Sequence, residues 1–323
     1  MLKSLSALAL GITASGFVAV ASAQAEDISL RLPWLLNVQS AGYVMAKEKG
    51  FYSAEGLNVT IQPGGPNLNS TALVASGANT FGTNDTNGVI LGASQGMDLD
   101  IVAACFQKNP GGVVARADTG IKTPADLKGK TLAYTEGGPW TLTKAMLDKE
   151  GVPLDSLHLV VSPSQQLLID KKVDAETAFA INEPIALALH GVKSNVILPA
   201  DYGVHSYAEA IFTTHKYVKD HPDVVAKFVK ATIKGYDYAY AHQDETVKAV
   251  VALNNQLDPK QQAEQLKAQV PYVYTDFTKQ NGPCAFQGSM IADTVDILKK
   301  YGGLKTDIDP ATLYTTQFIP AAK

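Results

Sequence analysis

Between Ile28 and Pro66 the chain runs strand, helix, strand in immediate succession, and that order belongs to open α/β sheets. Ile28-Ser-Leu-Arg-Leu32 alternates as a strand does, and Pro33 and Trp34 end it. Ser40 can cap a helix starting near Ala41, in which Ala41, Val44, Met45 and Glu48 fall on one side at helical spacing. Gly50 and Gly56 break that pattern, Leu57-Asn-Val-Thr-Ile61 resumes strand alternation, and Pro63-Gly-Gly-Pro66 stops it. Trp34, Asn37, Gln39 and Tyr43 consequently sit where a strand's carboxyl end meets a helix's amino end, which is where open α/β sheets hold ligands.

The alternation continues. Helices are expected over 68–76 and 88–95, with a short strand at 80–83 leading into Asn84-Asp-Thr-Asn87. Asp100 to Phe106 is almost wholly apolar, the pattern of a strand buried on both faces in a parallel sheet. From Thr123 a second set of the same elements begins: strands at 131–134, 157–161, 175–180 and 196–198, and helices at 141–150, 165–171 and 183–190. Ala208 to Thr213 has the composition of a strand returning to the first unit, and from Pro222 onward the chain is helical. Two α/β lobes follow from this pattern, and no short repeat suggests a solenoid.

The first residues stand apart from the fold. Lys3, an apolar run from Leu5 to Val20 and Ala21-Ser-Ala23 read as a secretory signal peptide over 1–23, with cleavage after Ala25 (Ala23-Gln-Ala25) a close second fit to the small-residue rule. Export to an oxidising compartment makes pairing of Cys105 with Cys284 feasible, worth on the order of 4 to 5 kcal/mol by the chain-entropy argument. Two buried free thiols remain the alternative. The net charge of -4 gives nucleic acid no electrostatic footprint. Of the 27 basic residues only Arg31 and Arg116 are arginine, the side chain that clamps carboxylate, sulfonate or phosphate bidentately, so an anionic ligand is disfavoured. No later run is apolar enough to span a bilayer.

The residues Trp34 to Val59, in the pattern W-x-x-N-x-x-x-A-G-Y-x-x-A-x-x-x-G-F-Y-x-x-x-G-L-x-V, resemble the opening of the periplasmic solute-binding proteins of ABC importers for nitrate, sulfonates, taurine and thiamine-pyrimidine precursors. Thr123-Pro-Ala-Asp-Leu-Lys-Gly-Lys130 resembles that family's entry to its second lobe, and Asp220 to Thr232 with Gly235 and Tyr236 its late helix. The resemblance implies a type II periplasmic-binding fold: two α/β lobes joined by two crossover strands, lobe one formed by 27–113 and 210–323, lobe two by 114–209. It also implies a monomer in the periplasm that closes on a small molecule and presents it to an ABC permease in the inner membrane.

A heteroaromatic ligand needs aromatic faces and a few polar groups at its edge. The candidates are Trp34, Asn37, Gln39, Tyr43, Asn84, Asp85, Gln107, Trp140 and Glu183, whereas Phe106, ending a buried strand, reads as core. Gly137-Gly-Pro-Trp140 joins a strand to a helix, where free amides can meet a carbonyl oxygen or an anion. Glu183 and Asp85 would accept hydrogen bonds from an exocyclic amine or a ring N–H. A thiamine-related pyrimidine precursor is the expected cargo, with riboflavin or a sulfonate, taurine or nitrate as alternatives. The fold also resembles that of thiamine-pyrimidine synthases, which carry a cysteine-rich iron motif and a pyridoxal-phosphate lysine. No cysteine cluster, H-x-H, H-E-x-x-H or G-x-S-x-G occurs here, so neither catalysis, metal nor cofactor is expected.

Overall fold

The computed structural model describes residues 25–65 and 67–320. The expected signal peptide, 1–23, lies outside the described residues. Strands β1 (Glu26–Arg31), β2 (Leu57–Gln62), β3 (Phe81–Asn84) and β4 (Asp100–Phe106) alternate with helices α1 (Ala41–Glu48), α2 (Phe51–Ala54), α3 (Ser70–Ala75) and α4 (Thr86–Ser94). After β5 (Gly111–Arg116) come β6 (Thr131–Tyr134), α5 (Gly138–Lys149), β7 (His158–Val161), α6 (Gln166–Ile169), β8 (Ala175–Phe179), α7 (Glu183–Leu189) and β9 (Ser194–Ile197). The chain then forms β10 (Ala208–Thr213) and the helices α8 (His215–Asp220), α9 (Pro222–Ala241), α10 (Gln243–Leu253), α11 (Pro259–Val273), α12 (Asp276–Asn281) and α13 (Gly288–Tyr301).

The strands form two five-stranded sheets, β2-β1-β3-β10-β4 and β7-β6-β8-β5-β9. Each sheet holds one strand antiparallel to its neighbours, β10 in the first and β5 in the second. That strand is in each case the one whose chain has just crossed from the other sheet. The crossings run through 107–110 and 198–207, so the expected lobe boundary at 113 falls inside β5, which pairs along its whole length in the second sheet.

β4 corrects the expectation of a parallel interior strand. All seven of its residues are buried, but it pairs antiparallel with β10 and lies at the sheet edge. The remaining chain covers that edge: Ile101 donates to the Leu313 carbonyl and accepts from Thr315, Ala104 donates to the Cys284 carbonyl, and Gln107 donates to that of Tyr272. A strand enclosed this way needs the same apolar composition as one inside a parallel sheet. The disulfide left open by the sequence is formed between Cys105 and Cys284, pinning the covering segment to β4.

Lobe-one helices pack by close approach. A Cβ on Gly235 of α9 would lie 2.2 Å from the Gly42 carbonyl of α1, so only glycine permits this crossing. Beside it, Tyr43 meets Tyr236 edge-on at 5.4 Å. Helix α13 faces both sheets, with Ile297 and Tyr301 packed on the second-sheet core and Lys300 paired to Asp148 of α5 at 2.7 Å.

Candidate binding cleft

The carboxyl ends of the parallel strands in both sheets converge on a cleft of about 580 Å³. The chain beyond β1 supplies Pro33, Trp34 and Gln39; that beyond β3 supplies Asn84 and Asp85; β10 supplies Glu209. From the second sheet come Thr135 and Pro139 after β6, Pro163 and Gln165 after β7, and Glu176, Phe179 and Glu183 on and after β8. Trp34 is 51% exposed, so its indole is a free face on this wall and not part of the core. Among the described residues, no lysine, arginine or histidine lines the cleft.

Four carboxyl groups line it instead. Burial pushes all four up from the usual carboxylate range: Asp85 to about 6, Glu176 to about 7, Glu209 to about 8, and Glu183 in the same direction. Neutral amides hold them. Asn109 donates to Asp85 Oδ2 at 3.2 Å, Gln165 to Glu176 Oε1 at 3.0 Å and Gln39 to Glu209 Oε1 at 2.7 Å, while Glu183 Oε2 accepts from the Phe179 amide at 2.7 Å. Glu209 is 3% exposed and adopts φ +49° at the start of β10, a left-handed conformation that costs a non-glycine residue on the order of 1–3 kcal/mol.

Of the residues singled out from the sequence, Trp34, Gln39, Asn84, Asp85 and Glu183 line the cleft, and four others do not. Asn37 instead accepts from the Gln39 amide at 2.7 Å, closing the turn that aims Gln39. This cap stands in front of the helix where Ser40 was expected, and Ser40 makes no capping bond. Tyr43 is fully buried in the lobe-one core, because α1 turns that face toward α9. Gln107 spans the disulfide region, its Nε2 donating to the Ala104 and Ala285 carbonyls at 2.6 and 2.7 Å. Trp140 is 3% exposed and tilted on Tyr134 at 4.3 Å. The helix begins at Gly138 and not at Thr141, which carries Trp140 to its sheet-facing side and leaves Pro139 at the cleft.

Glu176 and Glu209 were missed, yet each carries a signal. Both are lone carboxylates at the second position of an otherwise apolar strand, Ala175-Glu-Thr-Ala-Phe179 and Ala208-Glu-Ala-Ile-Phe212. A charge buried in a strand without a cation is costly enough to mark a site.

The family model described as NMT1/THI5 like matches residues 37–246. The chain is 25% identical over 308 residues to the riboflavin-binding protein RibY of Chloroflexus aurantiacus, covering 91% of this chain and 86% of that one. It is 29% identical over 238 residues to the formylaminopyrimidine-binding protein of Halalkalibacterium halodurans, covering 72% and 71%. The periplasmic aliphatic sulphonate binding protein SsuA of Escherichia coli superposes with a TM-score of 0.74 at 14% identity over 92% of this chain and 95% of that one, which establishes the fold. With the two strand-exchanged sheets and the cleft between them, this places the chain in the NMT1/THI5-like family, as a solute-binding protein of that type in the periplasmic-binding-protein fold.

Proposed function

We propose that the protein captures a small N–H-rich heteroaromatic in the periplasm, a thiamine-related pyrimidine first of all, and hands it as a monomer to the permease of an ABC importer. The observation that carries this reading is the set of four carboxyl groups without a cation in one cleft. Such a lining accepts hydrogen bonds and repels anions, so it suits amino and ring N–H groups and disfavours sulfonate or nitrate. Trp34 offers a face for the ring on one wall and Phe179 on the other. The two sheets then act as lobes bounded by the crossings at 107–110 and 198–207, closing about those crossings as the ligand touches both.

Riboflavin is the second reading. The relative named for it matches along 91% of this chain, and a cleft of about 580 Å³ has room beyond a single pyrimidine ring. Capture without turnover is the role proposed; among the described residues the cleft's lining holds no cysteine, histidine or lysine for thiol, imidazole or Schiff-base chemistry.

Native mass spectrometry of freshly purified protein tests the reading by the mass of any co-purified ligand, alongside thermal shifts with pyrimidine, flavin and sulfonate panels. A true ligand at 100 times its dissociation constant adds about 2.7 kcal/mol of stability. A shift produced only by taurine-like compounds would overturn the proposal.

A further inference from the structure

Three features of Glu209 bear on its part in the cleft. Its backbone is held left-handed at φ +49° inside a strand, one residue before the Ala210–Asn84 pair. Its carboxyl is 3% exposed yet lines the cleft. Gln39, positioned by the Asn37 cap, donates to one oxygen only, Oε1.

The titratable groups facing Glu209 are Asp85 at the end of the neighbouring strand, the phenols of Tyr43, Tyr236 and Tyr240 in the core behind it, and Glu176 and Glu183 on the cleft's opposite wall. None of them is a cation. Several carboxyls gathered in a low-dielectric cleft cannot all ionise, and the most deeply buried one keeps its proton. Oε1 is engaged as an acceptor from Gln39, and the buried Thr83 hydroxyl is a second hydrogen-bonding neighbour of the same carboxyl; with Oε1 so occupied, the proton is carried by Oε2.

We propose that Glu209 stands in the cleft as a neutral carboxylic acid, positioned by Gln39, whose Oε2–H donates to an acceptor atom of the ligand. It thereby selects rings that present a bare nitrogen or a carbonyl oxygen beside their N–H groups. The remaining carboxyls read the N–H groups. The strained backbone serves this role by turning a residue of a paired strand into the cleft. The inference rests on the heteroaromatic reading for its ligand, but the state of the acid is measurable without one.

The test has two arms. In the first, infrared difference spectra of ligand-free wild type and Glu209→Gln at about pH 7 should show the carbonyl stretch of a protonated carboxyl, present in wild type and lost in the variant; the band should fade above about pH 8, as a raised ionisation requires. In the second, calorimetry with 4-amino-5-hydroxymethyl-2-methylpyrimidine and with riboflavin as probes should find wild-type binding weakened about tenfold or more between about pH 7 and pH 9.5. E209Q, which keeps a donor at that position, should bind a few-fold more weakly at about pH 7 with a flat profile, and Glu209→Ala roughly thirtyfold more weakly. Absence of the infrared band, or an E209Q profile as steep as wild type, overturns the proposal. A band present with neither probe bound would sink the heteroaromatic reading and leave the neutral acid standing.

Discussion

At the scale of single residues, the cleft separates side chains that meet a ligand from those that hold the lobe together. Trp34, half exposed and outside the core, should be replaceable by Ala with the melting temperature unchanged and the affinity for a ring ligand reduced by about 0.5–1.5 kcal/mol, the range for an aromatic contact. A Trp34→Ala variant that fails to fold would return the indole to the core. Gly235 behaves in the opposite way. Gly235→Ala forces a methyl against the Gly42 carbonyl and Ala46, so a loss of about 1–3 kcal/mol is expected in urea unfolding, with binding per folded molecule retained. An unchanged unfolding midpoint would show that α1 and α9 can slide apart at no cost.

The same scale explains what was legible. Asp85, Glu183, Trp34 and Gln39 stand at strand ends, where topology alone puts them at the cleft. Tyr43 and Trp140 lie near strand ends too, but the rotation of a helix decides which way they point, and spacing from a strand carries no information about rotation. Glu176 and Glu209 lie within strands. Their composition signal was present, and it was outweighed by the apolar residues around them.

At the scale of elements, the edge of β4 is the place where distant parts of the chain must agree. The disulfide between Cys105 and Cys284 closes a separation of 179 residues, for which the chain-entropy model gives about 5 kcal/mol. Replacing both cysteines by Ala should lower stability by about 2–5 kcal/mol and expose the β4 amides to hydrogen exchange. Protection unchanged in 100–106 would show that backbone pairing alone holds the edge.

A second tie lies further along the same edge. Both ring nitrogens of His215 face acceptors, Asp98 Oδ1 at 2.7 Å and the Thr312 carbonyl at 2.8 Å, so only the doubly protonated ring makes both bonds. Burial pulls its ionisation down, but these two bonds outweigh that and raise it above the usual histidine value. A raised histidine stabilises the native state below its unfolded ionisation near pH 6.5, and that contribution is lost as pH rises through the folded value. Hydrogen exchange over 308–315, corrected for intrinsic rates, should therefore quicken from about pH 6 to about pH 8.5, and His215→Gln should remove the difference.

Neither tie could be read from the sequence. The cysteine pair was geometrically open, and His215 has no motif. By contrast, nearly every strand and helix was, because each carries its own periodicity.

At the scale of the whole molecule, the raised ionisations of Asp85, Glu176, Glu209 and His215, together with Asp100 at about 6, act in one direction. For each carboxyl the folded protein holds a proton that the unfolded chain has already released, so unfolding free energy falls with rising pH between about 4 and 8. Ligand-free protein should be more stable at about pH 5 than at about pH 8.5 in chemical denaturation; lowered surface carboxylates such as Asp118 and Asp148 lose their contribution only as pH falls below about 4, outside that window. A curve rising throughout that window would contradict the description of the cleft as acids without a counter-charge. Below about pH 7, N–H-bearing ligand should flatten the slope by supplying the missing partners to Asp85 and Glu176.

The exchange of strands between the sheets also sets an order of assembly. The segment 26–106 contains β1 to β4, yet β10 must enter between β3 and β4 before the first sheet is complete, and β10 follows the whole second sheet in sequence. A chain emerging gradually from a ribosome or a translocation pore thus has no stopping point at half length. Its first third waits with the β3 edge and β4 unpaired until residue 213 is free, and a fragment ending at 106 should show no cooperative unfolding transition.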